Sequence, residues 1–264
     1  MRKFVLLWLL AGVFLMGTAG PVQGEGQAFR VGVQRLEYFP HYTYRDGQFG
    51  GYGRAVLDAF AESSGHRFEY VVRPVARMMV EFLQRGRLDF VYPDNPAWDS
   101  RLKVGKRVVY SEPVAAFVDG VMVPPDRKGA GLERLKSLGT IRGFTPSAYL
   151  DKIQAGSLRL EESSHFSSLL RKTASGRVDG AYINVDVARH FLVNEAQRPD
   201  ALVFDPALPH VRDSYFLSTV DHPKVIAEFN AFLRDQENRI SALKKRFGIR
   251  DEFPEDVAPG GEQG

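Results

Sequence analysis

The sequence predicts an α/β protein of two similar lobes, each built on a mixed, mostly parallel sheet flanked by helices, with a cleft between them. Three observations predict it. Strand-like and helix-like segments alternate through two successive stretches of the chain. The run Gly86-Arg87-Leu88-Asp89-Phe90-Val91-Tyr92 returns 90 residues later as Gly176-Arg177-Val178-Asp179-Gly180-Ala181-Tyr182. In both, a glycine stop is followed by Arg, an apolar residue, Asp and a strand ending in Tyr. Finally, a long amphipathic segment from Pro223 to Phe247 closes the body, as a helix does when it packs on a sheet already formed.

The elements follow in order. Arg2 and Lys3 precede an apolar run of 13 residues, Phe4 to Met16, and helix-ending residues follow. Roughly 20 apolar residues are needed to span a bilayer, so the run reads as a secretory signal peptide. Val22 and Gly24 suit the positions before a cut, which places cleavage after Gly24. Phe29 to Leu36 alternates as a strand, Arg54 to Ser64 shows a helical apolar face, and Gly65 stops it. Arg67 to Val72 is a strand, Ala76 to Arg85 a helix, and Asp89 to Tyr92 a strand. Val114 to Pro125, broken by Asp119-Gly120, reads as the strand leaving the first lobe. The second lobe repeats the pattern: strand 139–144, helix 147–154, strand 158–161, helix 166–175, strand 180–184, then a helix to about Ala196. Strand-like runs at 202–204 and 215–217 lead to the closing helix, expected on the first lobe. The lobes are thus expected at 25–117 plus 206–250 and at 118–205, with an acidic tail, 251–264, carrying no fixed structure.

Composition narrows the function. The 264 residues contain no cysteine, which excludes disulfide scaffolds, thiolate metal sites, cysteine nucleophiles and lipid attachment through cysteine. Net charge is +3, and the body 25–250 carries 33 bases against 27 acids. That is no polycation for nucleic acid. A mildly basic body is compatible with an anionic small ligand. The six histidines have no metal-ligand spacing, and there is no phosphate-binding glycine loop or Gly-x-Ser-x-Gly element. No cofactor or metal is expected.

Ligands of open α/β sheets bind beyond the carboxyl ends of the strands. Those ends carry Glu37 to Tyr44, Tyr92 to Arg101, Arg142 to Thr145, and Tyr182 to Asn184. Aromatic, cationic and small polar groups mix there, as in a pocket with stacking walls and a few convergent hydrogen bonds. Tyr38, Tyr42, Tyr92 and Trp98 read as wall or core, with Trp98, in a polar proline-rich loop, the one most expected at a ligand.

These segments together resemble family 3 of the periplasmic solute-binding proteins, the group that includes polar amino acid binding components of ABC importers. The resemblance runs through Phe39 to Tyr44, Gly51-Tyr52, Leu83 to Asp89, Arg101 with Tyr110-Ser111-Glu112-Pro113, and Gly176 to Asp179. It implies a two-lobed fold of the second periplasmic-binding type that closes like a clamshell. It implies that Arg101 forks onto a ligand carboxylate. The chain departs from the family where a hydroxyl residue is Pro96, where the acid receiving the ammonium is Asn184, and where an acid follows Gly51-Tyr52 as Gly53. Asp94 or Glu37 are the compensating acids within reach. Pro74-Val75-Ala76-Arg77 resembles a Pro-x-x-Arg whose arginine faces the cleft in some members, and a solvated helix-start arginine fits equally. Arg142 stands where the second lobe offers a cation or backbone donors.

The expected function is capture of a small anionic or zwitterionic, amino-acid-like solute by a non-catalytic, monomeric protein serving an inner-membrane permease. Two alternatives share the scaffold: a dehydratase-type enzyme, with Glu37, Asp94 or Asp99 as general acid, and a ligand receptor for a sensor kinase.

Overall fold

A computed structural model describes residues 27–250. The expected signal peptide, its cleavage point and the acidic tail lie outside the described residues. The chain begins with β1 (Ala28–Gln34), a small sheet of β2 (Glu37–Tyr38), β3 (Tyr42–Arg45) and β4 (Gln48–Gly50), and α1 (Tyr52–Ser64). It continues through β5 (Arg67–Arg73), α2 (Val75–Leu83), β6 (Phe90–Asp94), α3 (Ser100–Lys103) and β7 (Val109–Tyr110). A long strand, β8 (Ala115–Val123), leads into β9 (Ser137–Ile141), α4 (Leu150–Gln154), β10 (Arg159–Ser163), α5 (Phe166–Ala174) and β11 (Gly180–Asn184). Then come α6 (Val185–His190), a π-helical turn at Phe191–Glu195, β12 (Val203–Phe204) and β13 (Val211–Thr219). Helices α7 (Pro223–Asp235) and α8 (Glu237–Phe247) end the described chain.

In each half three strands run parallel, β5-β1-β6 and β10-β9-β11. The 90-residue echo marks equivalent places. Gly86 and Gly176 both take positive φ, at 57° and 72°, which favours glycine. Asp89 accepts the Arg30 N–H at 2.7 Å, and Asp179 accepts the Ser137 N–H at 2.8 Å. Each carboxylate thus pins the first strand of its half to the loop entering β6 or β11.

Two long strands join the halves. β8 and β13 pair antiparallel from Ala115↔Tyr215 to Asp119↔Val211. The far end of β8 pairs with β11, and the far end of β13 pairs with β6. The hydrogen-bonded ladder is therefore unbroken from β10 to β5, where separate sheets were expected. The physical reason is that the two crossing strands pair with each other rather than passing as loops.

The closing segment is two helices, not one. The chain turns at Gln236 (φ −108°, ψ 29°). Phe229 and Phe232 of α7 bury against Phe60 of α1, at 5.1 and 5.5 Å between ring centroids. Both helices contact α1, in the first half.

Candidate ligand cleft

The cavity between the halves is lined on one side by the end of β1 and the small sheet, and on the other by the end of β9, the segment from β10 into α5, and α6. The small sheet is held there by backbone bonds to the start of α1. Pro40 O accepts the Tyr52 N–H at 2.9 Å, and His41 O accepts the Gly53 N–H at 2.8 Å. The approach is close. Gly51 has φ 91°, and a Cβ there would lie 2.7 Å from Tyr42 Cα. A Cβ on Gly53 would lie 2.0 Å from the Tyr92 ring. The glycine found where the resemblance implied an acid is therefore required by Tyr92 packing.

The facing surfaces of the halves meet in a buried aromatic seam. Tyr38 stacks on Tyr42 at 5.0 Å, and Tyr215 stacks on Phe117 at 4.5 Å. Tyr38 also meets Phe144 and Phe166 of the second half edge-on. His41 packs edge-on against Tyr215 at 5.0 Å. Tyr42 donates to Gln34 Oε1 at 2.7 Å. Burial pushes the hydroxyls of Tyr38, Tyr42, Tyr92 and Tyr215 well above the ordinary tyrosine range.

Three polar groups sit among these rings. Asn184 is fully buried, caps α6 by accepting the Val187 N–H at 3.0 Å, and donates to Tyr215 Oη at 3.2 Å. Asp119 lies opposite it in the β8–β11 register. Asp119 is half-buried as a residue, yet its Oδ1 is shut off from solvent and accepts no hydrogen bond. Burial, helped by the nearby Asp213 carboxylate and opposed by the Asn184 amide, pushes its carboxyl up to about 7. His41 is fully buried, and neither ring nitrogen has a hydrogen-bond partner. Burial lowers its ring to about 4, against the pull of Asp186 and Asn184, so the imidazole is neutral at physiological pH.

The structure distributes the residues singled out from the sequence. Tyr38, Tyr42, Tyr92 and Asn184 converge at the seam. Trp98 is half-buried beside it, its ring 5.9 Å from Tyr215 and from Phe117. Asp94 is buried a strand away and accepts from Lys103 Nζ at 2.8 Å and Ser218 Oγ at 2.7 Å. Arg101 is exposed on α3. Arg77 is 62% exposed and donates to Glu81, a carboxylate it shares with Arg73. Arg142 is 70% exposed and faces Glu162 at 4.0 Å. Reasoning from sequence passed over Asp119, His41 and Tyr215. The available signal was Asp119 itself, a carboxylate interrupting an apolar run.

An open cavity of about 770 Å³ lies between the halves, beside the seam. The first half contributes Arg35, Tyr38 and Phe39, and the second His165, Phe166 and His190. At its edge Arg45 donates to Glu37 at 3.0 Å within its own half and to Glu195 at 2.9 Å across the gap.

No family model and no curated protein matches the chain. Solved structures do. A histidine kinase sensor domain with similarity to periplasmic binding proteins shares 20% identity at a TM-score of 0.68, over 86% of this chain and 99% of that one. An ancestral amino-acid-binding protein, described as a precursor of cyclohexadienyl dehydratase, shares 20% at 0.65, over 83% and 95%. An ancestral arginine-binding protein bound to arginine shares 19% at 0.63, over 83% and 97%. The chain therefore has the two-lobed α/β fold of periplasmic binding proteins. Its neighbours in structure are amino-acid-binding proteins and a sensor domain.

Proposed function

We propose that this chain is an exported, non-catalytic solute-binding protein that closes two lobes on a small amino-acid-like solute and presents the closed form to an inner-membrane permease. The lobes proposed are 25–117 with 206–250, and 118–205. The observation that carries the reading is the cavity of about 770 Å³ walled by both halves, within the range of small-molecule sites. The paired crossing strands supply the linkage about which two such halves turn. The amino-acid and arginine binding of the structural neighbours supports the solute class. Export rests on the n-region, apolar run and small-residue cut ending at Gly24. No helix among the described residues is long and apolar enough to cross a membrane.

A thermal-shift screen of amino acids and related polar solutes tests the reading, because a ligand at 100 times its Kd adds ~2.7 kcal/mol to stability. A hit should come with a smaller radius of gyration in solution scattering and with the solute recovered unchanged by mass spectrometry. A solute consumed during incubation would favour an enzyme instead. Capture of a kinase rather than a permease would reassign the partner.

A further inference from the structure

We infer that the first half carries a patch that docks on anionic phospholipid. Val104, at the tip of a stiff turn, enters the lipid interface, and Arg85, Arg87, Lys106 and Arg107 around it meet the headgroups. Among the described residues the large apolar side chains left exposed are Val104 and Val193, and Val104 is the more exposed, at 79%. It stands on a type II turn. The Lys106 N–H donates to Lys103 O at 3.0 Å, Val104 has φ −55° and ψ 126°, and Gly105 has φ 74°. Proline or a polar residue serves that second turn position equally well, so the fold itself does not call for an apolar one. The turn is held from below, because the Lys103 ammonium is buried on Asp94 and Asn95 O.

Two turns bring the cations together. Arg85 and Arg87 flank Gly86, and the Arg87 N–H closes that turn on Glu81 O at 2.9 Å. Leu83 and Leu88, on either side of it, are buried in one apolar cluster. Leu102 and Val108, on either side of the Val104 turn, pack against the same cluster. All four cations are exposed, and among the described residues none is in an ion pair. The acids close by are engaged. Glu81 is buried on Arg73 and Arg77, and Asp89 accepts the Arg30 N–H at 2.7 Å and faces His222 at 3.1 Å. Asp221, beside Val220 on that cluster, is exposed and is offset in charge by the exposed Lys224. Electrostatic attraction and apolar insertion are the two terms that hold a protein at an anionic lipid interface. A protein partner needs a shaped core to its interface, and Val104 is the one large apolar side chain exposed here. A bilayer needs only charge and an apolar point.

Position leaves the cavity free. Val109 pairs with Thr219, which pairs with Phe90 at the start of β6. The patch therefore sits at the entry end of β6. β1 runs parallel to β6, and the cavity between the halves lies beyond the exit end of β1, at Arg35 and Leu36. A chain resting on lipid through this patch keeps its cavity open to solute.

The test is co-sedimentation with vesicles of the chain from Glu25 onward, which holds every described residue and lacks the apolar run Phe4 to Met16. Vesicles of phosphatidylglycerol with phosphatidylethanolamine are compared with vesicles of phosphatidylcholine, and poly-L-glutamate stands for an acidic polypeptide. The variants are Val104→Ser and the combined Arg85→Gln, Arg87→Gln, Lys106→Gln and Arg107→Gln, with urea unfolding as the check on their fold. The native chain should sediment with the anionic vesicles, stay in solution with phosphatidylcholine, and be released by 1 M salt. Each Lys or Arg at an anionic bilayer surface contributes about fivefold to binding. The combined variant should therefore bind roughly a hundredfold more weakly or less, and Val104→Ser roughly threefold more weakly. Equal sedimentation with both vesicle types, or none with either, overturns the inference and needs no variant. Unchanged binding by the combined variant overturns it as well, and unchanged binding by Val104→Ser removes the apolar insertion. Binding to poly-L-glutamate without binding to anionic vesicles overturns the lipid surface in favour of an acidic protein partner.

Discussion

Removing the ammonium of Lys103 should destabilise the first half by far more than a surface ion pair would. Lys103 is 9% exposed and Asp94 1%, with Nζ 2.8 Å from Oδ1. The same ammonium donates to Asn95 O at 2.7 Å and lies 5.4 Å from the Tyr110 ring centroid. Asp94 also accepts the Asn95 N–H at 2.7 Å and the Ser218 hydroxyl at 2.7 Å. Those contacts hold the end of β6 to β13. Lys103→Met keeps the side-chain volume but leaves Asp94 buried with no cation. Breaking a buried pair in this way costs about 3–5 kcal/mol. That is a large part of the ~5–15 kcal/mol that stabilises a typical protein, and it corresponds to a drop of roughly 6–20 °C in Tm for a chain of this size. Urea unfolding of Lys103→Met, Asp94→Leu and the double variant gives the coupling directly. The double variant should be close to native stability, because two apolar groups replace two charges. A coupling energy within ~0.5 kcal/mol of zero, or a Lys103→Met midpoint equal to the native one, would refute the reasoning. Asp94 would then be free to act as a ligand contact.

Further outcomes follow from other sites. Asp119 titrates near 7 in the folded chain against an ordinary 3.8, so its contribution to stability is fullest at low pH and falls as pH rises through 7. His41, at about 4 against an ordinary 6.5, contributes fully above 6.5 and loses that contribution as pH falls toward 4. The two oppose each other. Urea unfolding between about pH 5 and pH 8 should show Asp119→Asn gaining on the native chain as pH rises, and His41→Gln gaining as pH falls. Gly53→Ala drives a Cβ to 2.0 Å from the Tyr92 ring. Overpacking there should cost ~1–3 kcal/mol or more, and a midpoint equal to native would show that the ring yields. Arg101→Ala, at an exposed position, should leave stability within ~0.5 kcal/mol. Urea unfolding checks this, and a larger loss would show that the guanidinium holds a structural contact.

Much of the framework was legible because its signals are local. Alternating valines in β1, the apolar face of α1 and the αL glycine at 65 need only the pleat, the helical period and the absence of a Cβ. The echo was legible because two halves solve one local problem, holding a strand with an aspartate. The break at Gln236 was not, since Asp235-Gln236-Glu237 offers neither glycine nor proline and tertiary packing sets the turn. In sequence the small sheet of β2 to β4 looks like a strand-end loop, although Asp46-Gly47, both at positive φ, is a hairpin signal. For the site, the sequence offers residue types at strand ends but carries no side-chain directions. Arginines attract attention by chemistry, yet three of them lie at exposed positions, while the tyrosines that fill the seam have no spacing to distinguish wall from core.

The seam carries an energetic cost of its own. His41 Nδ1 and Nε2, Tyr92 Oη and Asp119 Oδ1 are all enclosed without protein partners. An unsatisfied buried polar group costs ~1–3 kcal/mol. Packing of the aromatic rings offsets that cost, since Tyr38, Tyr42, Tyr92 and Tyr215 are each almost wholly buried. Two terms of opposite sign leave the seam sensitive to a third. A donor brought to Asp119 would remove part of the penalty while keeping the aromatic gain. If the halves close on a solute as proposed, the solute's differential affinity for the closed form is what shifts that equilibrium. The exposed Arg45 link to Glu37 and Glu195 adds little to this balance, since pairs of that kind contribute about 0–1 kcal/mol. The balance therefore resides in the buried polar atoms of the seam rather than in the charges at its rim.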